Sequence, residues 1–348
     1  MYEADNSLIK SIPWIRNAQF DGTFIFGLLG LAVATGIIIA VEPSLFLPIF
    51  VIDLWFLGFH HVVATFTRLS FDSKSFNEHK LLVVGLLPVV AGVTVLVAWW
   101  LGIWAVITIY FYWQWWHYTR QSWGVSRVYR AKDPDALYED GWLDKAIFYG
   151  IPVAGILHRS SEQHTVFLSQ EFWSLPVPGA VATGASYAAV ALLVFWLGRR
   201  LDAARSGRLA AVHTLYMLSH FLIFGLAYFV TRDIVLGWLM INIWHNGQYI
   251  LFVWMYNNRR FRAGIDPDAR LLSYISQPGR LWLYLLTCIA ITGIFYWGVL
   301  RTIDWLFFTG LSVTIVMYQV INFYHYLVDS MIWKVRKPQV RSTLGLAA

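Results

Sequence analysis

Tyr318 to Asp329 reads YQVINFYHYLVD, and its spacing decides what kind of protein the chain builds. Tyr318, Asn322, His325 and Asp329 recur at intervals of four, three and four, which stacks all four on one face of a helix. The residues between them are mainly apolar or aromatic. An ionisable side chain in hydrocarbon costs about 2.5 kcal/mol or more. A His and an Asp sharing one face of such a helix therefore need a partner, either a metal ion or a closed polar network.

Composition supplies the setting. Of 348 residues, 58% are hydrophobic and 13% charged, with 19 Trp, 18 Tyr and 24 Phe, whereas a soluble domain is about 25% charged. The chain reads as all-α, a polytopic integral membrane protein with one transmembrane helical domain over 1–348. Taking about 20 apolar residues per crossing gives about ten candidate helices: 23–41, 49–68, 81–100, 103–123, 146–157, 179–198, 213–231, 233–256, 281–299 and 303–332. With the N-terminus inside, 23 of the 26 basic residues fall on cytoplasmic segments, and only Arg159, Arg232 and Arg301 lie opposite. The positive-inside rule thus favours this count, with both termini cytoplasmic. The net charge of +6 follows from that topology and does not point to nucleic acid. Met1 to Gly22 is polar and mixed, unlike a cleavable leader. A bacterial inner membrane fits a compact chain with this charge bias.

Some local expectations follow. The longest loop should be Val125 to Lys145, a turn followed by a short surface helix. Arg68, Arg120 and Lys334 should snorkel towards the membrane surface, and His213 should flank the start of its helix. The single cysteine, Cys288, excludes a disulfide framework and any thiolate metal site.

Orientation turns position into depth. At about 1.5 Å rise per residue, His60, His61, His117, His220, His245 and His325 share a layer roughly 5–20 Å below the cytoplasmic surface. Any one of them is well explained by a hydrogen bond to a neighbouring helix. Six of them, from five helices at one depth, point to a shared metal or cofactor. Gln121 beside His117, Tyr249 beside His245, and Asn322 and Asp329 beside His325 are the polar groups that fix an imidazole's tautomer and orientation. Imidazoles with one or two carboxylates and no thiolate suit iron, zinc, copper or manganese. The HxxxH and HxxHH boxes of membrane desaturases and alkane hydroxylases do not occur. Haem stays open, because any two facing histidines can ligate it.

Four stretches, GFHHVVAT, WWHYTRQSWG, NIWHNGQYILF and FYHYLVD, resemble the Brp/Blh family of bacterial membrane β-carotene cleavage oxygenases in order and local form. The matching positions are Gly58 with His61, then His117, His245, and His325 with Asp329. Thr65 stands where the family has an acidic residue, Gln121 and Ser122 stand at its middle Asp, and Tyr249 replaces a second His. The resemblance implies a polytopic iron-dependent oxygenase that cleaves a polyene with dioxygen, and His220 or the second member of the His60–His61 pair could supply a missing ligand.

The resulting expectation is a site in the cytoplasmic leaflet holding one or two non-haem iron ions. His60, His61, His117, His245 and His325 would be ligands, with His220 next. Asp329 would ligate or orient His325, and Asn322, Gln121 and Tyr249 would support the ligands or position oxygen. The substrate would be lipophilic, a carotenoid, an isoprenoid or a fatty chain, drawn from among the membrane lipids. Two other classes compete. One is a haem- or quinone-binding electron-transfer subunit. The other is a proton- or metal-coupled transporter, against which the lack of an inverted repeat counts.

Overall fold

A computed structural model describes residues 12–299, 301, 302, 305 and 311–346. Both chain termini lie outside them, as do residues 303, 304 and 306–310 of the tenth expected helix. The described residues are mostly helical. The long helices are α1 (Ala18–Val41), α2 (Pro43–Ser70), α3 (Leu81–Leu101), α4 (Ile103–Lys132), α5 (Gly141–Ser161), α6 (Gly179–Arg205), α7 (Ala211–Val230), α8 (Ile234–Arg260), α9 (Leu281–Gly298) and α10 (Leu311–Ile332). A two-stranded hairpin, β1 (Val166–Phe167) with β2 (Gln170–Glu171), interrupts the connection from α5 to α6.

Six of these helices, α1, α2, α3, α6, α7 and α9, are long and apolar enough to cross a membrane. Their outward faces are hydrocarbon: Ile37, Val89, Val93, Val194, Leu286 and Ile294 are all exposed. So much contiguous apolar surface belongs in lipid. The polar content goes to the centre. In α8 nearly every residue from Ile234 to Asn258 is buried, including Asn242, His245, Asn246, Gln248, Asn257 and Asn258. α8 is shielded by α1 and α2, and α10 packs on α2, α3 and α4. The helices that carry His117, His245 and His325 are thus among the less apolar ones, enclosed by more apolar neighbours.

Two local expectations are corrected. Val125 to Lys145 is not one long loop, because α4 continues to Lys132 and α5 begins at Gly141. Arg130 on the extra turns binds the Asp144 carboxylate and donates to the Glu139 carbonyl at 2.8 Å. Asp140 caps α5 by accepting from the Trp142 amide at 3.1 Å. Arg68 does not snorkel. It is buried between the rings of Trp333 and Tyr256, at 3.8 and 4.5 Å from their centroids, where cation–π attraction replaces water.

π-helical turns interrupt several helices, and two of them matter here. Leu54–Gly58 lies in α2 just before His60 and His61. Leu226–Val230 ends α7, and there the Ala227 carbonyl accepts from Arg159 Nη2 at 3.1 Å. That carbonyl also lies against Gly237 at the start of α8, so closely that a β-carbon would collide with it. Gly237→Ala is expected to separate the ends of α7 and α8 and cost about 1–3 kcal/mol of stability. Thermal unfolding in detergent, compared with Gly225→Ala where the added methyl meets open space, measures this.

Candidate metal centre

Four histidines from four helices converge at the core: His61 of α2, His117 of α4, His245 of α8 and His325 of α10. Their rings form a closed square. Centroids are 4.6 Å apart for His61 and His325, 5.0 Å for His325 and His117, 5.2 Å for His117 and His245, and 5.7 Å for His245 and His61. All four residues are buried. Ligand atoms of His61, His117 and His245 lie within 4.8 Å of one another, as do those of His117, His325 and Asp329.

Hydrogen bonding assigns the tautomers. His61 Nδ1 is 2.6 Å from the Gly58 carbonyl, which only accepts, so Nδ1 carries the proton and Nε2 presents its lone pair. His325 Nδ1 lies 2.9 Å from Thr65 Oγ1, and Thr65 in turn donates to Asp329 Oδ1 at 3.1 Å. The Thr65 oxygen therefore accepts from His325 Nδ1, and the His325 Nε2 lone pair is free as well. These two Nε2 atoms face each other at 3.0 Å. Two lone pairs at that distance repel unless a cation lies between them. Two nitrogens each about 2.1 Å from one ion, at a right angle, are about 3.0 Å apart. His117 Nε2 and His245 Nε2 are buried with no hydrogen-bond partner, which is costly for a neutral imidazole and natural for a metal ligand. The donor set is all imidazole with a carboxylate beside it, and it fits a first-row transition metal such as iron.

Asp329 is held from three sides. Oδ1 accepts from Thr65 and from the Tyr249 hydroxyl at 2.9 Å, and Oδ2 accepts from Gln121 Nε2 at 2.8 Å. Trp333 Nε1 donates to the Tyr249 oxygen at 3.0 Å. Asp329 Oδ2 is 3.7 Å from His325 Nε2. Thr65 and Tyr249 themselves meet at 2.6 Å beside the carboxylate. A second chain of polar groups orients His245. Asn242 donates to Asp53 Oδ2 at 2.7 Å and accepts from the Tyr118 hydroxyl at 2.6 Å, and the Tyr118 ring packs on His245 with centroids 4.2 Å apart. Tyr326 stacks on His117 at 4.3 Å.

The structure brings together His61, His117, His245, His325, Asp329, Gln121 and Tyr249. Three other expected residues stand apart. His220 is not placed to ligate: Nδ1 is 3.1 Å from Ser122 Oγ and Nε2 is 3.1 Å from the Phe148 carbonyl. Its ring stacks on Phe148 with centroids 3.7 Å apart. His60, one residue from His61, joins neither close group; its Nδ1 is 3.1 Å from the Phe56 carbonyl and its Nε2 is buried with no hydrogen-bond partner. Asn322 donates to the Tyr318 carbonyl of its own helix at 3.0 Å. Trp333 was legible in principle, since it continues the stripe Tyr318, Asn322, His325 and Asp329 by one more interval of four. Tyr118 and Tyr326 had no signal beyond adjacency to a histidine in a chain full of aromatics.

A second close group, Glu139, Asp144 and His213, is also near enough to hold an ion. Guanidiniums already serve it: Arg200 pairs with both carboxylates and Arg130 with Asp144. His213 does not merely flank its helix, since it bridges Glu139 Oε2 and Ser126 Oγ, each at 3.0 Å.

A cavity of about 770 Å³ opens beside the square. His117, His245, Gln121, Tyr249 and Asp329 form part of its wall, and Trp113, Trp116, Trp123, Tyr149, Tyr326 and Phe252 supply aromatic surface. Compared with models of protein families, with curated proteins and with solved structures, the chain matches none.

Metal analysis of the purified protein is expected to show that His61→Ala, His117→Ala, His245→Ala and His325→Ala each lose the ion, whereas His220→Ala keeps it. Tyr249→Phe removes one support of Asp329, and a loss of roughly 10–100-fold in metal affinity is expected, read by chelator competition.

Proposed function

We propose that the protein is a membrane-embedded, histidine-ligated non-haem iron oxygenase that acts on a lipophilic substrate with dioxygen. The observation that carries this reading is the meeting of four buried histidines from four helices, with Asp329, beside an aromatic cavity, their ligand atoms falling in two close groups that share His117. The chain crosses a bacterial inner membrane ten times with both termini in the cytoplasm, so the cavity opens in the cytoplasmic leaflet. His61, His117, His245 and His325 would hold the iron, with Asp329 as a further ligand or as the anion that orients His325. Bound iron would supply one-electron chemistry towards dioxygen.

The protein's own residues do the rest. The Gly58 carbonyl and Thr65 Oγ1 keep His61 and His325 in the tautomer that presents Nε2. Gln121, Thr65 and Tyr249 fix the carboxylate at the cavity wall. The Tyr249 hydroxyl, 2.9 Å from Asp329 Oδ1, is placed to pass a proton to that oxygen. Trp113, Trp116 and Tyr326 line a space that accepts a carotenoid, isoprenoid or fatty chain and keeps bulk water from it.

A haem site fits this geometry less well. A porphyrin must slide between its two axial histidines, and here each ring of the square packs on two others at 4.6–5.7 Å.

Purified, iron-loaded protein is expected to consume dioxygen when given a long-chain polyene in detergent, to show no Soret band, and to lose at least about a hundredfold in rate in His117→Ala. A Soret band, or no consumption with carotenoid, isoprenoid and fatty-chain substrates alike, overturns this reading.

A further inference from the structure

The cavity has a second chemical character at its mouth. Arg120 and Arg127 of α4, Lys145 of α5, and Lys334 and Arg336 just beyond α10 all line it. Among the lining residues the one carboxylate is Asp329, at the inner wall and already accepting from Thr65, Tyr249 and Gln121. None of the five cations makes an ion pair among the described residues. Some cations elsewhere do: Arg130 and Arg200 pair with Asp144, Arg260 with Asp72 at 2.5 Å, Lys74 with Asp268 at 3.0 Å, and Lys337 with Glu78 at 3.9 Å.

The positive-inside rule explains why this end of the bundle is basic. It does not explain why five cations from three segments gather around one opening whose lining holds a single carboxylate. Like charges held together raise one another's energy, and an anion delivered among them relieves it. Arg120 and Arg127 sit three and ten residues beyond His117 on one helix, so the cationic rim begins within a turn of the histidines and reaches about 15 Å from His117 along the helix axis.

We propose that the substrate is an amphiphile with an anionic headgroup, carboxylate or phosphate. The head is held by Arg120, Arg127, Lys145, Lys334 and Arg336, and the hydrocarbon chain runs inward along the aromatic wall to the four histidines. This rests on the oxygenase reading of the same site and narrows its substrate class. A head fixed at the rim also sets which carbon reaches the histidines, so oxidation falls at a position counted from the head.

Binding to the detergent-purified protein tests this without turnover. Fluorescence titration compares parinaric acid with its methyl ester, and competition compares farnesyl phosphate with farnesol, all in non-ionic detergent. The charged member of at least one pair is expected to bind at least about tenfold tighter, with a preference that shrinks as salt is raised. The pair showing the larger ratio identifies the head as carboxylate or phosphate. The exposed-cation variant R127Q/K145Q/R336Q is expected to lose the preference while still binding the ester, and R199Q/R205Q/R208Q, away from the cavity, to retain it. Equal affinity within both pairs, or a preference that survives R127Q/K145Q/R336Q, overturns the proposal. Iron content and oxygen consumption with neutral polyenes test the oxygenase reading separately, so the two can fail independently.

Discussion

The structure turns on a close approach of imidazole nitrogens that needs positive charge between them. His61 Nε2 and His325 Nε2 face each other at 3.0 Å with both Nδ1 protons committed elsewhere, and the Nε2 atoms of His117 and His245 close by have no partner. Imidazole nitrogens crowded in this way within a bundle of apolar helices repel one another unless something positive sits among them. The surrounding architecture keeps them together. The π turn at Leu54–Gly58 precedes His61, the Gly58 carbonyl fixes its ring, and Thr65, one turn later, anchors His325 and Asp329 from the neighbouring helix.

The distribution of polarity follows from that centre. α8 holds asparagines, a glutamine and a histidine along its buried length, and it survives in an apolar setting because nearly every one of its faces meets protein. α3, α6 and α9 are largely bare on their outer sides and carry valine, leucine, phenylalanine and tryptophan there. Such an arrangement inverts the soluble pattern, with polar groups hidden and hydrocarbon outside, as lipid requires.

Much of the centre was legible in the sequence because helical spacing and membrane depth are both one-dimensional quantities. The stripe Tyr318, Asn322, His325, Asp329 indicated a helix face, and counting from the basic ends placed six histidines in one layer. Depth does not give azimuth, however. Counting puts His60 and His220 at the same expected depth as the other four, and only packing shows that His220 is spent on Ser122 and Phe148 while His60 joins neither close group. Asn322 lies on the correct stripe yet bonds to its own helix, a choice that spacing cannot reveal. Arg68 looked like a snorkelling charge because its aromatic partners, Tyr256 and Trp333, are distant in sequence. The extension of α4 to Lys132 was hidden for the same reason, since Arg130 finds Asp144 only across the turn.

The central claim is that one metal ion is held by imidazoles from four helices. X-ray absorption at the metal edge of the purified protein tests it most directly. The account predicts iron with a nitrogen and oxygen shell at about 2.1 Å, the outer-shell scattering of several imidazoles, and no sulfur or porphyrin contribution. A porphyrin signature, a sulfur shell, or protein that holds no stoichiometric metal would contradict it.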